Sequence, residues 1–396
     1  MTAVAVQATT IGGDGRRFMA GRALAWLAAA EAPAAAAVVA ADAVIDLADD
    51  ELDQATAEHI VQATIDALNR GETHYTDRVG IIPLRQAVAA RIAAEDGLEY
   101  NPQGEVLICG GGREALFVAT QMIIQPGDEV LVPTPASRSF AEGVRLAGGV
   151  PIAVRTRAED GFALQAEAVA AALTPRTRVL LFASPNAPSG GVTTGSDLAA
   201  IAALTREHDL TVIWDETFRP FVFDGVRQEN IAALPGMRER TAIVGSFSAR
   251  YAMAGWRTGY VIAPARLLHP IVMLKQALTI CSAALSQWAA LAALTGPQGE
   301  THELVEEIAA RRAAALPALA ALGLPAYGQG TPYLFVDVRR SGLDGRAFAA
   351  LALREAGVRL LPGEHFGPHG AGFVRLSLAV PTPRLLDAIG RLARCL

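Results

Sequence analysis

Ser246-Phe247-Ser248-Ala249-Arg250-Tyr251-Ala252-Met253-Ala254-Gly255-Trp256-Arg257 lies between two apolar runs, 242–246 and 259–263, each of a length suited to a buried strand. Working outward, similar runs fall at 106–108, 129–133, 151–155, 178–183 and 211–214, with helical patterns between most of them. Strand–helix alternation predicts an α/β fold with a mostly parallel sheet covered by helices on both faces. Its crossovers are expected to be right-handed, and its site to lie at strand ends.

At 396 residues, 52% hydrophobic and 19% charged, the chain is globular and long enough for two or three domain-sized units. A net charge of −6 without a basic tract argues against a nucleic-acid partner. Cys109, Cys281 and Cys395 share no metal or redox spacing and read as reduced thiols, which points to a cytoplasmic protein. No signal peptide is evident, and Glu31, Pro33 and Asp42 interrupt the Ala-rich stretch 23–47, so no membrane span is expected. Lys275 is the only lysine, against 33 arginines, a bias that suggests a GC-rich bacterial genome.

Three units are expected: an N-terminal arm and first small-domain segment at 1–55, a large domain at 56–295 and a small C-terminal domain at 296–396. The arm carries Arg16, Arg17 and Arg22. Helical periodicity marks 55–70, 265–295 and 302–323, and strands near 333–338 and 373–379 flank a helix at 346–356, giving a smaller α+β domain. Within the large domain, Val106-Leu107-Ile108 runs into Gly110-Gly111-Gly112-Arg113-Glu114-Ala115-Leu116, which opens a helix. Glycines admit close backbone approach, and the first N–H groups of a helix lack internal partners, so the turn suits a phosphate. Thr211-Val212-Ile213-Trp214-Asp215-Glu216 is an apolar strand ending in acid.

Together these segments resemble the pyridoxal-phosphate (PLP) enzymes of fold type I, the aminotransferase class I/II family related to aspartate aminotransferase. Ser246–Arg257 is similar to the family's anchoring pattern S-[FL]-S-K-x-[YF]-x-[ML]-x-G-[WF]-R, with Ala249 at the Schiff-base lysine. The resemblance implies that Gly111, Gly112, Arg113, Ser246, Ser248 and Arg257 bind the cofactor phosphate, and that Asp215 partners the ring nitrogen. His74-Tyr75-Thr76-Asp77-Arg78-Val79-Gly80-Ile81-Ile82-Pro83-Leu84-Arg85 is similar to Y-x-x-x-x-G-x-x-x-L-R, which implies a homodimer with Tyr75 reaching the neighbouring site. Arg375, in Phe373-Val374-Arg375-Leu376-Ser377 after Pro362-Gly363-Glu364-His365-Phe366-Gly367, matches the arginine that binds an amino acid's α-carboxylate. The resemblance spans about residues 45–380.

Four positions depart from the pattern. Besides Ala249, Ala187 replaces an Asn and Phe218 a Tyr, both donors to the cofactor's phenolic oxygen, and Ser137 replaces a ring-stacking aromatic. Asn186 and Phe140 are the candidates to compensate, Asn186 toward cofactor and substrate. Arg78, Arg138, Arg219 and Asp50 are candidates to shape the side-chain pocket. The expected activity is aminotransferase-like, on an amino acid through an external aldimine. Elimination or replacement, resembling aminocyclopropane-carboxylate synthase, is the alternative; a non-catalytic PLP-binding relative is the third. Ala249 reads as a Lys→Ala form of an active biosynthetic enzyme, because the phosphate, ring-nitrogen and carboxylate residues all persist.

Overall fold

Along the central strands, apolar side chains alternate between two helical layers. Leu180, Phe182, Val212 and Trp214 join one core cluster, whereas Val179, Leu181 and Ile213 join another on the opposite face. Strand side chains alternate with period two, so an unbroken apolar run needs cover on both sides. Phe182 and Trp214 meet edge to face at 4.8 Å. Burying a side chain of this size contributes roughly 1.5–3 kcal/mol.

The computed structural model describes residues 44–49 and 51–396. Arg16, Arg17, Arg22 and Asp50 lie outside the described residues. In chain order the first elements are β1 (Ile45–Asp46), α1 (Glu58–Asn69), α2 (Ile82–Asp96), β2 (Val106–Cys109) and α3 (Gly112–Ile123). β3 (Glu129–Thr134), α4 (Arg138–Leu146), β4 (Val150–Arg155), α5 (Ala166–Ala172), β5 (Thr177–Ala183) and α6 (Gly195–Glu207) follow. Next come β6 (Thr211–Asp215), β7 (Thr241–Ser246), β8 (Gly259–Ile262), α7 (Ala265–Thr279), α8 (Ala284–Thr295) and α9 (Gly299–Ala321). The chain closes with β9 (Ala326–Tyr327), β10 (Tyr333–Asp337), α10 (Gly345–Leu351), β11 (Val358–Arg359), β12 (Leu361–Pro362), β13 (Phe373–Ser377) and α11 (Thr382–Arg391).

The main sheet has the order β2-β8-β7-β6-β5-β3-β4. It is mostly parallel; β8 runs antiparallel to both β7 and β2. The continuous helix expected over 265–295 is two helices. Ile280 takes φ 61°, outside the helical region, and Ser282 Oγ fixes the break by donating to Ile108 O at 3.0 Å.

A second, antiparallel sheet, β12-β13-β10-β9, gives the smaller α+β unit. Ile45 and Leu47 pack in its core with Leu334, Val336, Phe348 and Leu376, and β1 pairs with β11. The segment around residue 45 is therefore tied to the C-terminal part of the chain. Leu304, Ile308, Ala315 and Leu319 of α9 join the same core.

Candidate active site

Asp215 ends β6, Ser246 ends β7, and β2 ends just before Gly110. Because β8 runs the other way, its first residue, Gly259, lies at that same edge, opposite Cys109 and Ser246. Two glycines make the junction possible. Gly111 has φ 97°, and a Cβ there would run into the Arg257 guanidinium. A Cβ on Gly259 would come within 2.6 Å of the Gly111–Gly112 backbone. The start of α3 is thereby pressed against β8, with Arg257 laid across it.

A cavity of about 730 Å³ opens here, within the size range of small-molecule sites. Gly112, Arg113, Ser246, Ser248 and Arg257 line one end. Ser248 N donates to Ser246 Oγ at 3.1 Å, and Arg257 Nη1 donates to Ala254 O at 3.0 Å. Arg257 itself has φ 53°, a left-handed conformation that a non-glycine residue adopts at a cost and that clusters at functional sites. An α-helix start, hydroxyls and an exposed guanidinium form a donor set for a dianion.

Asp215 also lines the cavity, its Oδ1 accepting from Thr217 N at 2.9 Å. Burial pushes its carboxyl above the ordinary range; the Thr217 hydrogen bonds oppose this, and neighbouring Glu216 reinforces it. A recessed acid with such a raised proton affinity suits a cationic ring nitrogen.

Arg375 enters from β13, 4% exposed. Its Nη2 donates to Ala48 O at 2.7 Å, and its guanidinium lies 4.2 Å from the Tyr333 ring centroid. Ala249 lines the cavity beside Phe218, and both pack against the small-domain core.

Residues 42–392 match the family profile described as aminotransferase class I and II. The chain belongs to this family. It is 35% identical to aromatic-amino-acid aminotransferase 2 of Thermococcus litoralis, over 90% of this chain and 92% of that protein. It is 38% identical to the arginine–pyruvate transaminase of Pseudomonas aeruginosa, over 86% of each. The solved aromatic aminotransferase of Pyrococcus horikoshii superposes with a TM-score of 0.87 at 38% identity, covering 89% of this chain and 95% of that one. The fold is that of the fold-type I PLP enzymes, and PLP is the cofactor of this aminotransferase-type enzyme family. The donor set around Gly112, Ser246 and Arg257 and the acid at Asp215 fit that cofactor.

Gly112, Arg113, Asp215, Ser246, Ser248, Ala249, Arg257 and Arg375 are brought together around the cavity. Gly111 supports it from behind. Tyr75 is 81% exposed and does not line its own chain's cavity. Asn186 is a correction: it is 5% exposed and off the cavity wall. Its amide nitrogen donates to Pro135 O at 2.7 Å and Ser189 Oγ at 3.2 Å, so it holds the loop instead of replacing the donor absent at Ala187. Arg219 is another correction, since it binds Asp96 below the site. Arg78 donates to Gln276, also off the cavity.

Arg138 does line the cavity, paired with Glu142 at 3.0 Å, and Phe140 lines it near Ser137. Thr217, His365 and Tyr333 are cavity residues that sequence reasoning passed over. Thr217 directly follows the Thr211–Glu216 stretch, and His365 lies within Pro362–Gly367. Lys275 is 0% exposed on α7 and outside the cavity, its amine made less basic by burial. Among the described residues no helix is long and apolar enough to cross a membrane.

Proposed function

We propose that this chain binds PLP without a covalent anchor and receives an amino acid whose α-carboxylate docks on Arg375. The observation that carries this reading is the meeting of Ser246, Arg257, Asp215, Arg375 and Ala249 around one cavity. PLP, when bound, supplies an electron sink for carbanion chemistry at Cα. The chain's part is positional. Gly112, Ser246, Ser248 and Arg257 hold the phosphate, Asp215 keeps a proton on the ring nitrogen, and Arg375 orients the substrate. Position 249 has no amine to move a proton at Cα, so the chain is inactive or very slow as it stands. In this reading Ala249 replaces a lysine of an active biosynthetic parent, and Tyr75 of a second copy completes the phosphate shell in a homodimer.

Transamination is the first reading of the parent reaction, because the relatives named for aromatic amino acids and for arginine and pyruvate are transaminases. Ala187 and Phe218 favour a second reading, elimination or replacement on an amino acid, since both present apolar surface where the family pattern has donors. Ala249→Lys tests the proposal. Turnover and a new absorbance band from the lysine-bound cofactor are expected, and keto-acid release with a pyridoxamine form would select transamination. A folded Ala249→Lys protein that takes up no PLP would sink the reading, and would also remove the third possibility, a non-catalytic PLP-binding relative.

A further inference from the structure

Close to the ends of β6 and β7, outside the lining of the main cavity, lies a buried ionic cluster. Its centre is Glu216, 3% exposed and adjacent in sequence to Asp215. Arg91 Nη2 donates to Glu216 Oε1 at 2.6 Å, and Tyr260 Oη donates to the same oxygen at 2.5 Å. Arg219 Nη1 donates to the other oxygen at 3.3 Å and grips Asp96 through both terminal nitrogens, at 2.7 and 2.5 Å. Glu95 pairs with Arg91 at 3.1 Å and with Arg250 at 2.9 Å. The named groups balance: Arg91, Arg219 and Arg250 against Glu95, Asp96 and Glu216.

The placement is what makes the cluster interesting. α2 supplies Arg91, Glu95 and Asp96; the turn after β6 supplies Glu216 and Arg219; the anchoring segment supplies Arg250, next to Ala249. A single helix is thus tied to both the segment that carries Asp215 and the segment that carries Ala249. A small void of about 10 Å³, room for about one water, runs between the cluster and the site. Thr217 and Ser246 line both this void and the main cavity. Burial disfavours the charged form of Glu216, yet Arg91 and Arg219 overcome it and hold its carboxyl below the ordinary range. The fixed negative charge therefore sits one residue from Asp215.

We propose that Glu216, clamped by Arg91, Arg219 and Tyr260, is a positioning residue that sets how tightly the cofactor's ring nitrogen holds its proton through Asp215. This rests on the reading of Asp215 as the ring-nitrogen partner. Removing the Glu216 charge leaves the cluster with one excess positive charge near Asp215, which weakens the protonated ring. Removing Arg219 leaves an excess of negative charge, which strengthens it. The two substitutions therefore act with opposite sign, whereas loss of a merely structural strut would not.

The experiment uses the full chain and pyridoxamine phosphate labelled at the ring nitrogen, a probe that needs no lysine, with its nitrogen NMR shift followed against pH. Glu216→Gln is expected to lower the bound ring's proton affinity by about tenfold, and Arg219→Gln to raise it by about tenfold. The double variant Glu216→Gln/Arg219→Gln restores neutrality and is expected to return within about threefold of the parent. Single variants that shift together, or not at all, overturn the proposal. If the single variants do not fold, the double variant decides: parental proton affinity supports the electrostatic role, and a folded double variant that shifts or fails to bind refutes it. A parent chain that does not bind the probe overturns the cofactor reading, and this inference with it.

Discussion

The two sides of the cavity have diverged in chemistry. On one side, Ser246, Ser248, Arg257, Asp215 and Arg375 present hydroxyls, guanidinium groups and a carboxylate. On the other, Ala187, Phe218 and Ala249 present methyl and ring surface, and Ser137 turns its hydroxyl to Ser139 Oγ at 2.8 Å. On the proposed reading, the first set would hold phosphate, ring nitrogen and carboxylate, the binding handles. On the same reading, the second would lie where protons are moved. Holding a ligand and transforming it are, on that reading, separable, and Ala249 belongs to the transforming set. Ala249 would then by itself leave the chain without turnover, whereas Ala187 and Phe218 would bear on which reaction a lysine-bearing form performs.

Restoring the amine tests that separation most strongly. Ala249→Lys is expected to raise the rate of Cα proton exchange by at least about 10²–10⁴-fold, the usual contribution of a positioned general base, as followed by solvent deuterium entering the substrate. An unchanged exchange rate would mean that the bare side lacks more than its amine. Next in size is Arg375→Lys. A planar fork exchanged for a point charge should weaken amino-acid binding by roughly 10-fold or more while leaving pyridoxamine phosphate binding intact, measurable by calorimetric titration of both ligands. Parallel loss of both ligands would show that Arg375 supports the whole cavity.

A smaller effect sharpens the comparison from the bare side. In the Ala249→Lys background, Ala187→Asn with Phe218→Tyr returns two donors to the phenolic oxygen. The imine then loses its internal acceptor, and its apparent pKa is expected to fall by about one unit in a spectroscopic pH titration. An unchanged value would detach these two positions from the imine. The smallest effect concerns stability. Glu216 has a folded proton affinity below its ordinary value of 4.5. Its contribution is present above that value and lost as pH falls through the depressed folded value. Thermal melts of the ligand-free chain should therefore drop faster below about pH 4.5 for the parent than for Glu216→Gln.

Much of this was legible because the information is local. Strands announced themselves as short apolar runs, and the spacing of Ser246, Ala249 and Arg257 lies within one loop. What could not be read depends on partners distant in sequence. Asn186 resembles a site residue until its amide is seen bonded to Pro135, 51 positions away. Arg219 looks like a pocket charge until Asp96, 123 positions away, claims it. The reversal of β8 leaves no trace in its composition, since an antiparallel strand buried on both faces is as apolar as a parallel one. The break at Ile280 also escaped notice, because neither glycine nor proline marks it.

Lys275 gives the chain a practical property. With its one ε-amine sealed inside α7 and no other lysine in the sequence, amine-directed reagents have no side-chain target on the folded surface. A lysine installed in place of Ala249 would be the sole cavity-facing ε-amine. Borohydride fixation of a bound aldehyde would then mark one address, and peptide mass mapping would report site occupancy without competing background.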